Sequence, residues 1–161
     1  MAPSNETDLL AEELTPQKQE LLLAFHRDCA EEMAWRRTAG YRTVILGLAY
    51  CGLFMAVVGF MHPSQETKIC LSAVIALASI FGAGYLVGNY QQYMCAAGRA
   101  VRIEEYVGAF DTNFLGRLGA LMPASRKIWP SVPLHKDPVS LWSVIALAVG
   151  GLGTAVAVLL M

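Results

Sequence analysis

The sequence predicts an all-α polytopic membrane protein, with three transmembrane helices of which the first two continue as a cytoplasmic helical hairpin. Three observations carry this. First, 55% of the 161 residues are AVILMFWYC and only 16% are charged, where ordinary soluble domains carry about a quarter charged residues. Second, positions 43–61, 69–89 and 139–161 contain no Asp, Glu, Lys, Arg or His, and a helix of about 20 residues crosses the roughly 30 Å hydrocarbon core of a bilayer. A soluble fold of this size would lack the polar surface to cover three such runs. Third, the basic residues are one-sided. Arg27, Arg36, Arg37 and Arg42 precede the first run, and Arg99, Arg102, Arg117, Arg126, Lys127 and Lys136 lie between the second and third. Only Lys68 lies in the connection 62–68. Basic loops stay in the cytoplasm, so the N-terminus and the long loop are expected inside a bacterial inner membrane and the C-terminus outside.

The elements follow in order. Positions 1–15 are acidic and polar, the opposite of a secretory leader, so the first apolar run is expected to act as an internal anchor. Thr15-Pro16 reads as an N-cap followed by proline at the first helical position. Leu21, Leu22, Phe25, Cys29 and Met33 then recur at helical spacing through a charged segment, which predicts one long amphipathic helix over 16–61 that becomes the first span near position 43. After an outer loop at 62–68, a second helix is expected over 69–111, spanning at 69–89 and running on into the cytoplasm. Folding the two helices about the loop sets residue i opposite residue 129 minus i. Glu31 and Glu32 then face Arg99, Asp28 faces Arg102, and Arg27 comes near Glu104 and Glu105. Exposed pairs of this kind contribute about 0 to 1 kcal/mol each, so they set register while apolar neighbours supply adhesion.

Positions 112–138 hold Pro123, Pro130, Pro133 and Pro138 with Gly116 and Gly119, which predicts an irregular loop. Leu115, Leu118, Leu121, Met122, Ile128 and Trp129 are too apolar for a solvated linker. The loop is therefore expected on the inner membrane surface, with Arg117, Arg126 and Lys127 reaching lipid phosphates. Asp137-Pro138 caps the third span, 139–161. Trp35, Tyr41, Tyr90, Tyr93 and Trp142 flank the inner ends of the spans, the level that indole and phenol rings favour.

The spans carry small residues on particular faces: Ala49, Gly52, Ala56 and Gly59 on the first, Ser72 and Ala76, then Gly84 and Gly88, on the second, and Ala146, Gly150 and Thr154 on the third. Such faces let helices approach closely in lipid, either within the chain or in an oligomer. Ionisable groups, which proton relays and substrate sites in membranes normally require, are absent from the spans, and the paired broken helices of secondary transporters do not occur. A pore would have to be lined by Ser72, Ser79, Ser143, Thr154 and glycine backbone. His26 and His135 are expected in cytoplasmic solvent and His62 at the outer surface, so none is placed to ligate a pigment. Cys29, Cys51, Cys70 and Cys95 form no CxxC pair or zinc-spaced cluster and read as small apolar packing residues. Glu104 and Glu105 point about 100° apart on a helix and form no shared-proton dyad. The 12 basic and 13 acidic residues nearly cancel, which gives no argument for nucleic acid. No cofactor, metal or catalytic site is expected.

A long helix carrying Trp35-Arg36-Arg37 and Tyr41-Arg42 into a first span, a short outer loop, and a second span continuing as Arg99-Ala100-Val101-Arg102-Ile103-Glu104-Glu105 resembles the SLATT type of bacterial two-span membrane protein. The resemblance covers residues 16–110 and implies a membrane-perturbing effector; the third span and its proline-rich connection depart from the two-span layout. The residues themselves favour a non-enzymatic scaffold or accessory subunit. Its partners would be the lipid bilayer, other membrane helices in a homo- or hetero-oligomer, and a cytoplasmic protein.

Overall fold

The computed structural model describes residues 16–111 and 120–161. The acidic segment 1–15 with its Thr15 cap, and Arg117 with its neighbours Leu115 and Leu118, lie outside the described residues. All regular structure among the described residues is helical. Helix α1 is Pro16–Met61, α2 is Gln65–Tyr106, α3 is the single turn Ser125–Ile128, and α4 is Pro138–Leu160. Short 3₁₀ turns occupy Trp129–Ser131 and Leu134–Lys136. Helices α1, α2 and α4 are each long and apolar enough to cross a membrane.

Several boundaries differ from the sequence expectation, each for a local reason. The connection between α1 and α2 is 62–64 rather than 62–68. Ser64 begins the second helix early: its carbonyl accepts from Lys68 N at 3.0 Å, and its hydroxyl accepts from Thr67 N at 3.4 Å, an N-cap arrangement. His62 takes a positive φ of 45° to make the reversal. At the other end α2 stops at Tyr106 rather than near 111. Gly108 adopts φ 74°, Ala109 N donates to Glu104 O at 2.9 Å, and Gly108 N donates to Glu105 O at 3.0 Å. These two bonds with a left-handed glycine form a Schellman stop. The described part of the proline-rich connection is not irregular throughout, since α3 and the two 3₁₀ turns lie within it, with Pro130 inside the first 3₁₀ turn and Pro133 just before the second. Asp137 caps α4, accepting from Val139 N at 3.2 Å and Ser140 N at 3.4 Å, with Pro138 at the first helical position.

The chain divides into two compact units, Met1–Met33 with Met94–Ser131, and Ala34–Tyr93 with Val132–Met161. In the second unit Val58, Ile75, Ala155 and Val158 form a buried core, with Phe54, Met55, Leu71 and Ala76 packed against it. Leu147 of α4 fits where Gly47 of α1 and Gly82 of α2 leave room: a Cβ at Gly82 would lie 2.8 Å from Leu147 Cδ2, and one at Gly47 would meet Leu147 Cδ1. Gly151 packs directly on Ser79. Polar cross-links run from Ser72 Oγ to Ala155 O (2.9 Å), Asn89 Nδ2 to Arg36 O (2.8 Å) and Tyr90 OH to Val132 O (2.9 Å). In the first unit the buried residues of α2 are Ala96, Ala97, Ala100, Val101 and Glu104, facing α1 residues that include buried Cys29.

Candidate functional site

Two features could carry function: a buried ionic cluster in the first unit and the uncovered faces of the apolar helices in the second. The cluster is centred on Glu104, which is 3% exposed. Arg126 of α3 donates to it in bidentate fashion, Nε to Oε2 at 2.7 Å and Nη2 to Oε1 at 2.7 Å, the strongest geometry available to a carboxylate. His26 of α1 sits with Nε2 3.0 Å from Oε1. Burial pushes the Glu104 carboxyl up, but the hydrogen bonds from Arg126 and His26 and then their charge outweigh it, and the net shift is below the ordinary carboxylate range. Beside it Lys127 Nζ lies 3.1 Å from Glu105 Oε1 and over the Phe110 ring, and Arg126 lies over the Trp129 ring. One buried carboxylate thus ties α1, α2 and α3 together.

This arrangement corrects two sequence expectations. His26 is hydrogen-bonded to Glu104 rather than simply solvated. Arg126 is committed to Glu104 and Lys127 to Glu105, so the cations assigned to lipid phosphates instead balance the acids of α2; a carboxylate buried as deeply as Glu104 has to be met by a counter-charge. A sequence signal for Glu104 exists. It lies four residues after Ala100 and seven after Ala97, on the stripe of small apolar residues that faces inward, while Glu105 lies off it.

The expected hairpin pairs are partly rearranged. Arg99 Nη2 lies 2.6 Å from Glu32 Oε2, one of the pairings the hairpin register predicted. Glu31 is bonded by Arg27 of its own helix at 2.9 Å, so Arg27 does not reach Glu104 or Glu105, whose oxygens are taken by Arg126, His26 and Lys127. Asp28 and Arg102 are both exposed, and no ion pair joins them among the described residues.

The small-residue faces divide into two groups. Gly150 is used within the chain, since a Cβ there would lie 3.1 Å from Leu48 Cδ2, and Ala146 and Thr154 are partly covered beside it, Thr154 Oγ1 donating to Gly150 O. By contrast Ala49, Gly52, Ala56 and Gly59 are all exposed. A Cβ at Gly52, Gly84 or Gly88 would meet nothing within 4 Å, and one at Gly59 only Met161 Cε at 4.0 Å. The cysteines also divide. Cys29 is buried and Cys51 partly so, but Cys70 and Cys95 are exposed, so among the described residues these two do not pack inside as expected. No family model, curated protein or solved structure matches the chain.

Proposed function

We propose that the chain is a non-enzymatic integral membrane protein of a bacterial inner membrane, a scaffold or accessory subunit that packs against other membrane helices through its small-residue faces. The observation that carries this reading is the α1 face of Ala49, Gly52, Ala56 and Gly59, exposed along its length and open above Gly52. In lipid there is no hydrophobic drive to cover an apolar face, but a smooth glycine-alanine face permits the close van der Waals approach on which helix association depends. Gly84 and Gly88 give α2 a comparable surface. The N-terminus lies in the cytoplasm on this reading, by the distribution of Arg and Lys. The segments of α1 and α2 joined by the Glu32–Arg99 and His26–Glu104 contacts form a cytoplasmic helical hairpin that presents its exposed side to a protein partner.

The alternative is an oligomeric pore or membrane-perturbing effector of SLATT type. Four span hydroxyls that could line a lumen already donate to backbone carbonyls: Ser72 to Ala155, Ser79 to Ile75, Ser143 to Val139 and Thr154 to Gly150. That favours the scaffold. Purification from native membranes followed by mass spectrometry of the co-purifying chains tests the proposal. Stoichiometric recovery of a different membrane protein is expected, lost on Gly52→Leu with Ala56→Leu. Homo-oligomers alone, conducting in planar bilayers, would replace it with the effector.

A further inference from the structure

Within the first unit, residues 121–131 lie along the end of α2 as a strap that runs against its direction. Met122 N donates to Ala109 O at 2.9 Å, Arg126 holds Glu104 through two bonds, and Lys127 meets Glu105. Pro130 then lies over Gly98, where an added Cβ would come 3.6 Å from Pro130 Cβ. The attachment is mostly polar. None of residues 121–131 is buried, and Leu121 and Ile128 are turned outward at 50% and 67% exposure. The contact of α1 with α2 in the same unit is built the other way, from buried Cys29, Ala96, Ala97, Ala100 and Val101. Lifting the strap therefore uncovers a carboxylate and little apolar surface, whereas parting α1 from α2 opens a core, and segments with few buried apolar contacts are the ones that open locally. The carboxylate sets a condition on that opening. Without the strap Glu104 keeps His26 but loses two charge-assisted bonds, and Glu105 loses Lys127. A carboxylate placed like Glu104 needs a counter-charge, so whatever takes the strap's place has to bring cations of its own.

We propose that residues 121–131 are a releasable strap that occupies, within the chain, the docking site of a basic segment on the cytoplasmic partner. Charge complementarity selects that partner. Glu104 and Glu105 are met by the neighbouring pair Arg126-Lys127, and a segment carrying two adjacent basic residues reproduces the pair where an acidic or wholly apolar one leaves Glu104 uncompensated. Strap and partner compete for one surface, so the strap is an autoinhibitory contact: it lowers the partner's apparent affinity by the fraction of chains in which it is open. The inference deepens the partner reading above and rests on it for the identity of the competitor. The strap itself is read on the isolated chain, and its failure there would leave a co-purifying membrane protein unexplained by this site but still present.

Hydrogen exchange on the full chain in detergent tests the opening. The Met122 amide is expected to exchange at least about tenfold faster than the amides of Ala97, Ala100 and Val101. Equal rates would mean that the strap opens only together with the helices beneath it, and would overturn the proposal. A synthetic peptide of residues 121–131 then tests the site in the Arg126→Met chain, whose own strap has lost its main anchor. The peptide is expected to raise the melting temperature of that variant saturably. A peptide with Gln at both basic positions should have no effect, and a chain with Glu104→Leu and Arg126→Met should respond to neither. The same response to both peptides, or to none, would contradict the proposal. If Arg126→Met does not keep its helix content in circular dichroism, the unaltered chain takes its place. About millimolar basic peptide, enough to rival a tethered segment, should quicken exchange at Met122 by displacing the strap, and unchanged exchange would refute the shared site.

Discussion

Among the described residues of the first unit, Glu104 is the single charge taken almost wholly out of water, and its neighbours show how that is sustained. Two hydrogen bonds from Arg126, in bidentate fashion, and one from His26 satisfy both carboxylate oxygens. Removing one partner of a buried pair leaves an uncompensated charge and costs about 3 to 5 kcal/mol. Arg126→Met is therefore expected to lower thermal stability markedly in detergent, while Glu104→Leu combined with Arg126→Met should recover most of the loss, and a thermal-shift assay on the three proteins checks both. The pH dependence has a definite sign. A carboxyl held below its ordinary value contributes stability that is fully present above the ordinary carboxylate range and is lost as pH falls through the lowered value. Protection of the amides near Glu104 in hydrogen exchange should thus be flat around neutrality and weaken only in strong acid, and Glu104→Gln should remove that acid step. The exposed Glu32–Arg99 and Arg27–Glu31 pairs are worth little by comparison. The sequence displays all of these charges equally, so the one that matters is visible only through its place on the alanine stripe, and the identity of its partner, 22 residues along the chain, follows from how α3 packs.

At the scale of the element, helix existence was legible from charge-free runs and boundaries were legible where a cap was spelled out. Asp137-Pro138 marks a start that the structure retains. Gly108 marks a stop that apolar periodicity alone carried past, because a Schellman turn depends on a left-handed backbone rather than on hydropathy. Asp137→Ala is expected to cost α4 about 1 kcal/mol, readable as faster amide exchange at Val139 and Ser140. The glycines separate by what they face. Gly151→Val would drive a side chain into Ser79 and is expected to destabilise the second unit by about 1 to 3 kcal/mol. Gly84→Leu meets only open space in this chain and should leave monomer stability unchanged in a chemical-denaturation series while altering assembly in lipid. The sequence marks both positions as small; only the fold tells which of them its own helices use.

For the whole molecule, three helices suited to a bilayer and a pattern of Arg and Lys on one side of it make topology the claim on which the rest depends. The scaffold reading and the cytoplasmic hairpin both assume that α1 enters the membrane from the cytoplasm. Composition was enough to predict the membrane class, and the basic residues were enough to predict a direction. Which faces remain open to a partner was not legible, because that depends on how α4 is set against Gly47 and Gly82. The decisive measurement is cysteine accessibility in intact cells, using a chain with its four native cysteines replaced and a single cysteine introduced at Gln65→Cys or Arg102→Cys. The account predicts that a membrane-impermeant maleimide labels Gln65→Cys in intact cells and Arg102→Cys only after permeabilisation. Labelling of Arg102→Cys in intact cells, with Gln65→Cys protected, would contradict it.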